Sequence, residues 1–87
     1  MKPFLISYDL DKPGQNYTGL IARLKEIGAV RVLMSQWVVE QDCTCADLRD
    51  DLKAYMDSND RILVTRITGW ASSKIMAFEE FKQIVAA

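Results

Sequence analysis

The chain opens on an apolar run that ends in carboxylates, Phe4-Leu5-Ile6-Ser7-Tyr8-Asp9-Leu10-Asp11. Asp9 has the most chemistry within reach. Buried alone, its charge would cost on the order of several kcal/mol. At a strand end it emerges at the edge of a sheet, near water, a partner or a cation. A carboxylate placed there can ligate a divalent ion, or accept backbone N–H groups at the start of a helix. The chain has no histidine, which removes the most usual general base and the most usual transition-metal ligand. Catalysis would have to run through carboxylates, metal-bound water, tyrosine, lysine or cysteine. Simple solvation in a loop is the competing reading for Asp9 and Asp11, and it suits Asp11 better.

Three further groups carry potential chemistry. Arg31 and Arg66 lie inside apolar runs, whereas Arg61 reads as an ordinary solvated charge. Arg31 and Ser35 are candidates for orienting or neutralising a phosphate. Cys43 and Cys45 are separated by one residue, too close for an unstrained mutual disulfide, and without histidine they cannot complete a zinc site in one chain. They sit at a predicted helix N-terminus, where a thiol pKa can fall and make Cys43 reactive. The expectation is nonetheless that both are reduced and dispensable. Trp37, Trp70 and Tyr8 are either core or interface residues, or aromatic platforms for a small ligand.

These groups need elements to position them. Residues 3–9 read as a strand, with Phe4, Ile6 and Tyr8 on one face and Leu5, Ser7 and Asp9 on the other. Asn16 is the expected N-cap of a helix whose stripe is Tyr17, Leu20, Ile21, Leu24 and Ile27, ended by Gly28. A hairpin follows, from residues 29–34 and 37–40. Thr44 and Asp47 form a capping box for a second helix running to about Met56, with Leu48, Leu52, Tyr55 and Met56 inward. Residues 61–67 are a fourth strand. A last helix carries Ile75, Phe78, Phe81, Ile84 and Val85, capped by Ser72 or Ser73.

The order β-α-β-β-α-β with an extra helix predicts an α+β, ferredoxin-like domain spanning residues 1–87, built on a four-stranded antiparallel sheet. The strands carry apolar residues at both parities, so both sheet faces should be covered. The last helix or a second subunit could cover the face away from the two long helices, and a homodimer is the expectation. Hydrophobic residues make up 49% of the 87, enough for a packed core and a second buried surface. The net charge of -1 argues against a strongly basic, non-specific nucleic-acid binder. No apolar run is long enough to span a bilayer, and no signal-peptide pattern opens the chain, so a cytoplasmic location is expected.

The chain resembles the small CRISPR-associated adaptation proteins, written here as Cas-two, and the related virulence-associated protein D family. It also looks like short proteins labelled SinR-like, although it has no helix-turn-helix pattern. The matching pieces are Phe4 to Leu10, Arg31 followed by Ser35-Gln36-Trp37, and Asp60-Arg61-Ile62-Leu63-Val64. With the element order, the resemblance spans about residues 1–68. It implies a ferredoxin-like homodimer in which the two Asp9 carboxylates face each other and share a divalent metal such as magnesium. It further implies either a metal-dependent nuclease acting on RNA or DNA, including toxin-type ribonucleases, or a non-catalytic subunit that holds nucleic acid. A small regulatory ligand-binding domain is a third reading. The chain departs from the family pattern after Asp9, where it has the single basic residue Lys12. It departs again from Trp70 onward, where a helix is expected in place of a fifth strand.

Overall fold

A computed structural model describes residues 1–12 and 17–86. The elements are β1 (Lys2–Asp9), α1 (Thr18–Glu26), β2 (Val30–Leu33), β3 (Gln36–Gln41), α2 (Cys45–Lys53), β4 (Arg61–Arg66) and α3 (Phe78–Val85). The four strands form one antiparallel sheet in the order β2-β3-β1-β4. This is the expected ferredoxin-like arrangement: two split βαβ units with β1 and β3 central, plus a C-terminal helix.

β1 is central because each parity of its residues has a partner. Tyr8 donates its N–H to the Ser35 carbonyl, and the Ile67 N–H donates to the Pro3 carbonyl. With the registers of the two pairings, even-numbered residues of β1 exchange hydrogen bonds with β3 and odd-numbered ones with β4. Side chains alternate independently of this. Phe4, Ile6 and Tyr8 enter the main core with Leu20, Leu24, Trp37, Val39, Leu48 and Leu52. Both long helices pack on that face, tied by a bidentate pair from Arg23 to Asp51 at 3.0 and 2.9 Å.

Helix ends follow local chemistry. Gly28 takes φ +85 after α1, a conformation that glycine adopts without a Cβ clash. The Ala29 N–H then reaches the Leu24 carbonyl and the Gly28 N–H the Lys25 carbonyl, which closes the helix. The N-cap expected at Asn16 lies outside the described residues. At α2 the Thr44 hydroxyl accepts from the Asp47 N–H and the Asp47 carboxylate accepts from the Thr44 N–H, as the capping box requires. α2 stops at Lys53, short of the expected Met56, and Tyr55 lies exposed beyond it.

The opposite sheet face is covered by α3. Phe81 is buried there against Val32 and Val38, with Leu5, Val30, Ile67, Ile75, Ile84 and Val85 around them. Neither Ser72 nor Ser73 caps this helix. It begins at Phe78, after Ala77 in the left-handed conformation at φ 51. The start is set by docking: the Met76 N–H bonds the Val32 carbonyl at 2.9 Å, which delays the helix past the serines. Trp70 meets Phe81 and Phe78 edge-on, at ring separations of 4.7 and 6.2 Å. No helix among the described residues is long and apolar enough to cross a membrane.

Candidate functional site

The end of β1, the two-residue turn Met34-Ser35 and the start of β4 meet at one end of the sheet. Strand alternation sends Tyr8 toward the helices and Asp9 to the other side. Tyr8 is buried, and its hydroxyl accepts from the Trp37 indole N–H at 3.0 Å and from Arg31 Nη2 at 3.4 Å. The Arg31 guanidinium lies over the Trp37 ring, 4.7 Å from its centroid, a favourable cation–π geometry. Arg31 Nε is buried without an acceptor. Such an orphan donor costs about 1–3 kcal/mol and calls for an explanation. Here the ring and hydroxyl contacts hold the guanidinium in place over the indole.

Arg31 lines an open groove of about 620 Å³. Ser35 and Met34 form its rim at the β2–β3 turn, and Tyr17, Ile21 and Lys25 of the α1 side form the facing wall. Tyr17, Ile21 and Lys25 are spaced four residues apart and so share one helical face. The sequence places Tyr17 and Ile21 on the apolar stripe of α1 and Lys25 off it, so they were not singled out as groove residues. Their shared spacing was the available signal. The groove therefore presents an ammonium and a stacked guanidinium beside a serine hydroxyl and an apolar wall. That combination suits an anionic group attached to a planar or apolar body.

Asp9 does not join this groove. Its side chain is 76% exposed, with Arg61 Nη1 3.7 Å from its carboxylate. Its neighbours are Ser7, Tyr8, Arg61, Ile62 and Leu63. The structure thus brings Arg31 and Ser35 together and sets Asp9 on the far face of the same sheet end. Among the described residues no group of three or more acidic or cysteine side chains is gathered for a metal. At Asp9 one chain offers a single carboxylate beside a cation, a donor set that does not fit a divalent ion.

Asp60 is a structural hub that the sequence did not single out. Its carboxylate accepts from the Asp11 and Asp57 N–H groups, at 2.8 and 2.7 Å, and from the Tyr17 hydroxyl at 3.0 Å. Desolvation pushes its pKa up, but these donors outweigh it and hold the carboxyl below the usual range. They place Asp11 in a turn, as its solvated reading implies. Tyr17 is shifted up, by desolvation first and then by Asp60.

The cysteines are both free thiols. Cys43 does not have the lowered pKa that its place before α2 suggested. Desolvation, then the charges of Asp47 and Asp42, push it up. Trp37 and Tyr8 are enclosed in the core and so offer no open stacking platform. No model of a known protein family matches the chain.

Proposed function

We propose that the protein is a Cas-two-like, dimeric nucleic-acid-binding module that grips a phosphate with Arg31 and does not cut the strand. The observation that carries this reading is the fixed guanidinium of Arg31, stacked on Trp37 and sharing one groove with Lys25 and Ser35. A guanidinium held in advance loses little freedom when it forms a forked pair with a phosphate. With Tyr17 at the wall, the groove favours a single strand whose base can lie against an aromatic ring. A chain of net charge -1 would bind modestly and with a strong dependence on salt.

The test is fluorescence anisotropy with short single- and double-stranded RNA and DNA at low and physiological salt. Arg31→Gln and Lys25→Gln should each weaken binding at least fivefold, and Asp9→Asn should leave it unchanged. Equal binding by all variants would refute the groove.

A second reading is the metal-dependent nuclease, favoured by the open position of Asp9 at the sheet end. It needs the Asp9 of another copy to complete a magnesium site. Cleavage with magnesium or manganese, abolished by a chelator and by Asp9→Asn, would establish it in place of the binding reading.

A further inference from the structure

The two edges of the sheet are treated differently. The β2 edge is blunted, because β2 has four residues, its register with β3 shifts between Arg31 and Leu33, and Val32 is engaged by Met76. The β4 edge has no such protection. β4 is six residues long, contains no proline, and pairs with β1 in unbroken register. Residues 61, 63 and 65 exchange hydrogen bonds with β1, so Ile62, Val64 and Arg66 turn their N–H and C=O groups outward. Among the described residues those groups have no partner. Leu63 is 63% exposed on one side of the edge. On the other side a groove of about 360 Å³ runs between the edge and Cys45, Ala46 and Arg49 of α2. α3 packs chiefly on β3, β2 and β1. A long, unprotected edge is a template for another strand.

We propose that the strand it takes is β4 of a second copy, antiparallel about a two-fold axis through Leu63, making one sheet that runs through both subunits. This inference rests on the dimer of the proposed function and names its interface. Two constraints select the register. Outward-facing residues must pair with outward-facing residues, which excludes Arg61 opposite Arg66, and a two-fold at Arg61 or Arg66 is disfavoured because it would set an arginine opposite itself. Among the alignments left, side-chain match chooses. A two-fold at Leu63 sets Arg61 opposite Thr65, Ile62 opposite Val64 and Leu63 opposite itself. A two-fold at Ile62 would set Arg61 opposite Leu63, and one at Val64 would set Arg66 opposite Ile62. Within β4, the Leu63 register pairs apolar side chains at its centre and a guanidinium with a hydroxyl beside them, as cross-strand stabilisation requires. Self-complementarity of this kind is what an isologous interface demands.

The arrangement also bears on Asp9. Asp9 is one strand in from the edge and level with Arg61. Strand spacing and rise put the two Asp9 carboxylates on the order of 20 Å apart across this interface. They cannot share an ion, which agrees with binding rather than cleavage.

Disulfide trapping tests the register, in a background where Cys43 and Cys45 are serine. At a non-hydrogen-bonded antiparallel pair the Cα atoms are about 4.5 Å apart, within disulfide reach. Leu63→Cys should oxidise to a covalent dimer. Thr65→Cys alone should remain monomeric, and Arg61→Cys combined with Thr65→Cys should cross-link. Leu63→Lys, at an exposed site that leaves the fold intact, should weaken the dimer at least tenfold by sedimentation. A dimer that Leu63→Cys fails to trap would overturn this interface and leave the dimeric binding reading standing. A protein that is monomeric up to 100-fold above micromolar concentration would overturn the interface and the dimer together. Unchanged oligonucleotide binding by Arg31→Gln, with Leu63→Cys trapping intact, would mark the opposite case, in which the interface stands and the groove reading falls.

Discussion

The Trp37 indole N–H donates to the Tyr8 hydroxyl at 3.0 Å, inside the core and between adjacent strands. That one oxygen also receives Arg31 Nη2. A buried tyrosine hydroxyl thereby links the packing of the sheet to the cation at the groove.

Replacing Tyr8 with phenylalanine keeps the ring and removes the acceptor. The Trp37 N–H is then left buried without a partner, and stability should fall by about 1–3 kcal/mol. Urea unfolding followed by tryptophan fluorescence measures it. Loss of the Arg31 contact should also weaken oligonucleotide binding in the same variant.

Asp60 should govern the acid limb of stability. Its folded pKa lies below the ordinary carboxylate value, so its contribution is fully present above the unfolded pKa of about 3.9. It is lost as pH falls through the lower, folded value, because the unfolded chain then binds more protons. Asp60→Asn should be less stable than wild type at pH 7, and the difference should shrink below about pH 3.9. Thermal unfolding across pH 2–7 follows it.

How much of this the sequence told depends on the range of the interaction. The strands, both long helices and the ferredoxin-like order are written in local alternation, helical stripes, Gly28 and the Thr44–Asp47 box. The start of α3 is not, since it is set by Met76 docking on Val32 across the sheet, and serine capping chemistry was a poor guide there. Arg31 and Ser35 were legible as a pair because a short hairpin brings them together. Asp9 reads as their companion along the chain, but alternation turns it to the other face. The Asp60 hub was hidden because its donors, Asp11 and Tyr17, are more than forty residues away.

Cys43 should be a slow nucleophile. Its raised pKa lowers the thiolate fraction at any pH below it, and the thiolate is the reacting form. Alkylation by iodoacetamide at pH 8 should be slower than that of free cysteine. The Cys43→Ser and Cys45→Ser double variant should remain folded.

Phe81 is the buried anchor of α3. Phe81→Ala should cost about 3–5 kcal/mol of local packing. The cost should appear as undocking of the C-terminal helix before loss of the sheet. Hydrogen exchange would then speed up over Phe78–Val85 and at the Met76 N–H, while β1 and β3 stay protected.

The central position of β1 also has a consequence for the order in which the protein is made. β1 is made before both of its partners, β3 on one side and β4 on the other, and β4 ends at Arg66. Closing those pairings requires long loops, whose entropy must be met before the contacts form. The nascent chain therefore carries Phe4, Ile6 and Tyr8 without a complete sheet until β4 has been made. It gains its full sheet only once β4 has emerged, which makes that interval, rather than the finished protein, the stage most open to aggregation and to chaperone capture.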